Sequence, residues 1–307
     1  MLAIRTRSLS KSYGETLALD HLDLSIEPGE VYGYLGPNGA GKTTTNRLLL
    51  GLHRPTAGEV ELFGVDALRD PVLAHRRLAY VGGEPALWPA LTATETFEFL
   101  SRLRGASGVD AAYRRLLIER FQLDPDRRIR ALSKGNRQKV ALIAALSTRA
   151  ELLLLDEPTT GLDPLMEVAF RDSIMEARDR GQTVFLSSHI LSEVEALCDR
   201  VGILRRGRLV DQGTLADLRH LSSQTIDVTF GEPDPVLPSL PGVSMRREGA
   251  TAVRFEVARG NGALDALLQA LAAHPVTSLT SREPTLEEIF LHHYDASDGL
   301  DSAPRSE

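Results

Sequence analysis

The 307-residue chain carries a net charge of −7 from 35 basic and 42 acidic residues, with 42% apolar and 25% charged residues. At about 150 residues per domain that length suggests two domains with ample core, and the balance excludes a disordered or fibrous chain. The mild acidity gives no reason to expect nucleic acid as a partner.

The longest uncharged stretch, Ala266 to Ser281, is 16 residues long and is interrupted by Gln269, His274 and Pro275. A membrane-spanning helix needs about 20 mainly apolar residues, so no span is expected. The start, Met1-Leu2-Ala3-Ile4-Arg5, has no basic stretch leading into an apolar block, so no secretory leader is expected either. Cys198 is the only cysteine. It excludes an intrachain disulfide and a cysteine-held zinc, and the expected compartment is the reducing cytoplasm. One local bias stands out: residues 101–150 hold 12 basic and 4 acidic residues, a block of +8 against −15 elsewhere.

The first 60 residues predict strands joined by short turns. Residues 18–26 alternate apolar and polar side chains, as a half-buried strand does, and Pro28-Gly29 ends them. Val31 to Leu35 is a short apolar strand entering a glycine-rich turn, and a helix is expected from about Gly41 to Leu52, before Pro55. From Thr92 the pattern turns helical. Thr92-Ala-Thr-Glu95 fits a capping box ahead of Phe97, Leu100 and Leu103, and further helices are predicted over 110–122 and 133–148. An alternation follows: strand 151–155, helix 164–179, strand 182–187, helix 190–197, strand 200–204. Such spacing implies a mainly parallel sheet covered on both faces, with residues 85–147 as a helical insertion. After about residue 219 the character changes. A loop with four prolines (231–242) is flanked by strands at 225–230 and 251–257. A helix with Leu264, Leu267, Leu268 and Leu271 on one face follows, then one capped at Thr285 with Leu286, Ile289 and Phe290 inward, and a polar tail of about a dozen residues.

The chemistry starts at Gly36-Pro37-Asn38-Gly39-Ala40-Gly41-Lys42-Thr43-Thr44. This is the phosphate-loop spacing, with a strand before it and a helix after it. Glycines let consecutive N–H groups face phosphate oxygens, and the helix end adds its positive pole. Lys42 is expected on the β- and γ-phosphates, and the Thr43 hydroxyl on Mg²⁺. Four leucines then deliver Asp156 and Glu157 to the carboxyl end of the sheet. Asp156 suits Mg²⁺, and Glu157 can accept the proton of an attacking water. Leu132-Ser133-Lys-Gly135-Asn-Arg-Gln138 opens a second helix, whose Ser133 and Gly135 form another phosphate-binding end.

With these motifs in this order, the chain over about residues 1–215 resembles the ATP-binding-cassette (ABC) ATPases. Their signature Leu-Ser-Gly-Gly-Gln is matched here as Leu-Ser-Lys-Gly-Asn. Thr160-Gly-Leu-Asp163 matches the D-loop, Ser187-Ser-His189 the switch histidine, and Tyr13 the aromatic that stacks on adenine. The resemblance implies an α/β P-loop NTPase of ABC type: a mainly parallel sheet core, N-terminal antiparallel strands and a helical insertion. A nucleotide-binding domain over 1–218 is expected, then a small α+β accessory domain over 219–307. It also implies a head-to-tail pair of copies, with each ATP between Lys42 of one and Ser133 of the other, and His189 reading the γ-phosphate.

Two departures qualify the match. Lys134 and Asn136 replace the signature's first Gly and its Gln, and Gly83-Glu84 stands where the family usually has a Gln near the metal and the attacking water. That puts hydrolysis rate and coupling in question, rather than ATP binding. The segment Arg282 to Phe290 resembles one that ends many antibiotic-resistance export ATPases paired with ABC-2 type permeases. This implies a subunit on the cytoplasmic face of the membrane that energises export of drug-like compounds.

Other classes fit less well. Translation factors of this type usually carry two cassettes, repair members carry long coiled coils, and a nucleotide kinase needs neither Leu-Ser-x-Gly nor Ser-Ser-His. Cys198 reads as a small core residue. His292-His293 lacks partners for a metal site. Trp88 reads equally as core or as an exposed aromatic meeting a permease.

Overall fold

A computed structural model describes the chain except residues 106–107, 222–223, 234, 259–261, 283–284 and 296–307, and the side chains at 220–221 and 291–295. The polar tail, Glu283-Pro284 and the side chains of His292-His293 therefore lie outside the described residues. The chain divides into two compact units, residues 1–212 and 213 onward. Thr214 and Asp217 bond reciprocally, Thr214 N to Asp217 Oδ2 at 3.0 Å and Asp217 N to Thr214 Oγ1 at 3.1 Å. This starts a new helix at Leu215.

The first unit holds two sheets. β1 (Ile4–Tyr13), β2 (Thr16–Ile26), β4 (Ala57–Leu62) and β5 (Val65–Asp66) form an antiparallel sheet in the order β2-β1-β4-β5. β3 (Val31–Leu35), β6 (Leu78–Val81), β7 (Leu152–Asp156), β8 (Thr183–Ser188), β9 (Arg200–Arg205) and β10 (Arg208–Thr214) form a second, ordered β10-β9-β3-β8-β7-β6. The pairs from β9 to β6 are all parallel. β10 turns back through Arg206 and Gly207, both at positive φ, as a two-residue hairpin requires. β3, β7 and β8 are buried along their whole length, the mark of parallel strands covered on both faces.

Helices α1 (Lys42–Leu49), α2 (Pro71–His75), α3 (Ala93–Arg104), α4 (Ala111–Arg120), α5 (Lys134–Leu146), α6 (Pro164–Asp179) and α7 (Leu191–Leu197) complete this unit. Between the sheets lies an apolar core in which Leu19, Leu22, Tyr32, Leu48, Leu154 and Phe185 are fully buried. α1 ends earlier than expected because Gly51 adopts a left-handed φ of 62°. α3 carries the expected capping box, Thr92 N to Glu95 Oε2 at 2.7 Å and Glu95 N to Thr92 Oγ1 at 3.1 Å. Its Phe97 is buried, but Leu103 is 69% exposed near the helix end.

The second unit contains α8 (Leu215–Leu221) and a four-stranded sheet of β11 (Gln224–Phe230), β12 (Val243–Arg247), β13 (Ala252–Val257) and β14 (Val276–Arg282), ordered β12-β13-β11-β14. Its helices are α9 (Ala263–Leu271) and α10 (Leu286–Asp295). α9 buries Ala263, Leu267 and Leu271, the i, i+4, i+8 row, against Val228, Phe230 and Phe255. Leu268, expected on that face, is exposed. β12 and β14 were hidden to pattern reading because both are largely exposed edge strands without alternation.

An ion network ties β11 to its neighbours. Asp227 bonds Arg254 directly across the ladder at 2.6 Å, and Arg282 bonds Glu288 at 2.6 Å. Arg282, above all, holds the Glu288 carboxyl down at about 2, with Thr285 adding backbone and hydroxyl bonds. A carboxyl depressed in this way stabilises the fold fully above its ordinary value of 4.5, and the contribution is lost as pH falls toward 2. Amide hydrogen exchange in β11, compared with Glu288→Gln at matched pH, should show wild-type protection exceeding the variant's at pH 6. The difference should vanish near pH 2, and equal protection at pH 6 would contradict the assignment.

Candidate functional site

The site forms where the parallel strands end. Leu35 lies in register with Ser188, and Asp156 with Ser187, so β3, β7 and β8 deliver their last residues to one edge. From β3 the chain enters Gly36 to Gly41 and then α1. Gly41 has φ 117°, and a Cβ there would sit 2.8 Å from the Ala18 carbonyl, so the tight entry into α1 needs a glycine.

Lys42, at the first turn of α1, is 5% exposed. Its Nζ donates to the carbonyls of Gly36 at 2.5 Å and Pro37 at 3.2 Å and stands 3.8 Å from Glu157 Oε1. Burial lowers its pKa from the ordinary lysine value, while Glu157 and Asp156 oppose that shift. His189 Nδ1 lies 3.3 Å from the same Glu157 oxygen. Glu157 therefore faces the loop lysine on one side and the imidazole on the other. It adopts a left-handed φ of 48°, an uncommon conformation for a glutamate, and its N–H donates to the Ser187 carbonyl at 2.9 Å. Asp156 is 5% exposed and accepts the Ser187 hydroxyl at 2.5 Å. Thr43 is exposed at the mouth of the loop, with Thr44 half-buried beside it.

Lys42, Asp156, Glu157 and His189 are thus brought together within one chain. Other expected residues are held by contacts of their own. Tyr13 is 42% exposed, with its hydroxyl 2.5 Å from His53 Nδ1 and Lys11 Nζ 5.0 Å from its ring centre. Asp163 caps α6, accepting from Met166 N at 3.0 Å. Ser133 caps α5 and accepts from Asn136 N at 3.2 Å. A Cβ on Gly135 would meet the Gly161 carbonyl at 2.3 Å, so the signature helix and the D-loop touch backbone to backbone.

Two residues emerge from the geometry alone, and a third, Gly83, is given its surroundings by it. Gln138 is fully buried in α5, and its Nε2 donates to the Pro158 carbonyl at 3.0 Å and reaches the Gly82 carbonyl at 3.5 Å. It fastens the signature helix to the loops on either side of the carboxylates. Asn46 is fully buried in α1 and donates to Ser187 Oγ at 3.2 Å. Gly83 lies against the carboxylate pair, where a Cβ would stand 3.4 Å from the Asp156 carbonyl and 3.6 Å from Glu157 Cβ. Glu84 is 86% exposed and pairs instead with Lys134 Nζ at 3.3 Å, so the two departures from the family pattern meet each other. Polar residues on the buried row of α1 and α5 were the available signal for Asn46 and Gln138.

The backbone approach at Gly135 predicts that Gly135→Ala destabilises the first unit by about 1–3 kcal/mol, as overpacking does. Urea unfolding checks this, and a variant as stable as wild type would remove the close contact.

Comparison with known proteins agrees with this geometry. The ABC transporter family matches residues 19–160, and the C-terminal domain of DrrA1-3-like ATP-binding proteins matches residues 213–294. The chain is 35% identical to the daunorubicin/doxorubicin resistance ATP-binding protein DrrA of Streptomyces peucetius, over 94% of this chain and 91% of that protein. It is 40% identical to the bacitracin transport ATP-binding protein BcrA of Bacillus licheniformis, over 68% and 69%. Among solved structures, an ATP-binding subunit of an ABC transporter superposes with a TM-score of 0.67 at 32% identity, covering 72% of this chain and 92% of that one. The dimeric ABC transporter cassette MJ0796 shares the fold, with a TM-score of 0.63 at 24% identity over 69% of this chain and 98% of that one. The chain belongs to the ATP-binding proteins of ABC transporters, an ATPase family, and carries behind its cassette a C-terminal domain of the DrrA type.

Proposed function

We propose that this ATPase energises export of drug-like or antibiotic compounds through a separate ABC-2 type permease, working as a pair of copies on the cytoplasmic face of the membrane. The observation that carries the reading is Glu157, set between Lys42 and His189 at the end of the parallel strands. The names of DrrA and BcrA, resistance and transport proteins, support the export class. No helix among the described residues is long and apolar enough to cross a membrane, which fits a motor that acts on a partner's span.

Lys42 exchanges the Gly36 and Pro37 carbonyls for β- and γ-phosphate oxygens, while the N–H groups of residues 38–44 wrap the phosphates. Glu157 takes the proton of the attacking water, and His189 contacts the γ-phosphate and registers its departure. Asp156 and Thr43 offer a carboxylate and a hydroxyl, hard oxygen donors that suit Mg²⁺ together with phosphate oxygens and water. Among the described residues no cluster of three or more His, Cys, Asp or Glu could hold a metal unaided, which agrees with a metal that arrives with the nucleotide. When bound, Mg²⁺ supplies charge neutralisation at the phosphates.

Ser133 and Gly135 serve the phosphate of the second copy. Asp163 contacts that copy's nucleotide, and Tyr13 stacks on adenine. The dimeric solved structure of MJ0796 is consistent with such pairing. The permease occupies a groove of about 1300 Å³ in the first unit, bordered by Val72, Tyr80, Glu84, Trp88, Leu100 and Leu103. Trp88 is 44% exposed there and leans edge-on against Phe99, an aromatic pair available to a partner helix.

Glu157→Gln should lower ATP turnover at least a hundredfold while trapping an ATP-bound pair of copies. Steady-state hydrolysis and size-exclusion chromatography with ATP check this, and wild-type turnover in the variant would remove Glu157 as the base.

A further inference from the structure

We propose that Asn46 is a positioning residue for Asp156, acting through the Ser187 hydroxyl. The inference rests on the nucleotide and Mg²⁺ reading above. Asn46 and Ser187 are fully buried and Asp156 nearly so, and they form a line from α1 through β8 to β7. Asn46 Nδ2 stands 3.2 Å from Ser187 Oγ, and Ser187 Oγ stands 2.5 Å from Asp156 Oδ1.

Proton counting fixes the direction of this line. An ionised Asp156 can only accept, so the short contact takes the one proton that Ser187 owns. The atom that Asn46 turns to Ser187 must then be a donor, its amide nitrogen, because its oxygen would compete for the same proton. That orientation leaves Asn46 Oδ1 buried without a hydrogen-bond partner among the described residues, which costs free energy that an apolar residue would avoid. Ser187 also has an alternative acceptor, the Leu155 carbonyl at 3.3 Å. By occupying a lone pair of Ser187, Asn46 keeps its proton on Asp156 and away from that carbonyl. One carboxylate oxygen of Asp156 is then anchored from the interior. Its orientation toward the mouth of the phosphate loop is set before any ligand arrives.

The test uses the full chain, with β,γ-imido ATP as the nucleotide probe and binding followed across a Mg²⁺ titration and again in EDTA. Asn46→Leu should raise the Mg²⁺ concentration for half-maximal binding roughly three- to tenfold, the range a single buried hydrogen bond spans. Affinity in EDTA should stay unchanged. Asn46→Ala, which lacks the same donor but differs in volume from Leu, should shift the Mg²⁺ midpoint equally, whereas a packing role would separate the two. Ser187→Ala should shift it in the same direction, and adding Asn46→Leu to Ser187→Ala should add nothing further. Multiplying effects in the double variant, equal losses with and without Mg²⁺, or wild-type midpoints in the single variants would each overturn the relay alone. A wild-type chain that fails to bind the analogue would overturn the nucleotide reading and the relay with it.

Discussion

The register of three parallel strands is the constraint on which the site depends. Pairing of Leu35 with Ser188 and of Asp156 with Ser187 brings three sequence-distant segments to one edge. A slip of one residue would turn Asp156 to the opposite face, because side chains alternate along a strand. The register is held by burial on both sides, since β3, β7 and β8 expose no residue. Tyr32, Tyr34 and Phe185 fix it further: the Phe185 ring lies 6.0 Å from Tyr32 and 5.2 Å from Tyr34, both on the neighbouring strand. A rigid apolar slab thus carries charged groups at its rim, where the strain at Glu157 can be borne.

A second constraint is the backbone contact between Gly135 and Gly161. The glycine of the signature segment reads most simply as freedom for the backbone to approach phosphate. The structure gives it a role within the same chain, packing against the D-loop carbonyl with no room for a methyl group. Gln138 reinforces the contact one turn further along α5 by bonding the Pro158 carbonyl. The helix end proposed to serve a second copy's nucleotide is therefore mechanically joined to the loop that follows Glu157. In the proposed pair of copies, loss of γ-phosphate beside Glu157 and His189 would have a short, packed path to the face of the other copy.

Much of this was legible in the sequence because glycine spacing, strand alternation and capping boxes are local signals. The phosphate loop, the α3 capping box and the buried leucines of β7 each follow from residues within a few positions of one another. What escaped was non-local or two-sided. β12 and β14 are exposed edges whose place depends on β13 and β11, and Leu103 and Leu268 point outward although their spacing suits an apolar face. The Asn46–Ser187–Asp156 line joins three elements that lie far apart in the chain, so no window of sequence contains it. Tyr13 and His53 meet for the same reason, across 40 positions.

The two departures from the family pattern acquire a common physical meaning. Gly83 leaves the space beside Asp156 and Glu157 without a side chain, although a Cβ would fit there in ordinary contact. The neighbouring Glu84 does not fill it, because its carboxylate turns to Lys134 on the signature helix. An exposed pair of this kind contributes little to stability, typically under about 1 kcal/mol. Its consequence is electrostatic: a lysine at the first turn of α5 opposes the helix dipole, and Glu84 offsets that cost while no phosphate is near. Polyphosphate from a second copy would offer Lys134 a stronger anion than Glu84 does. The exchange would free Glu84, which borders the groove assigned to the permease. Charge taken up at the signature helix would thereby be linked to the surface proposed for the membrane partner, through a residue that replaces neither the missing glutamine's contacts nor its chemistry.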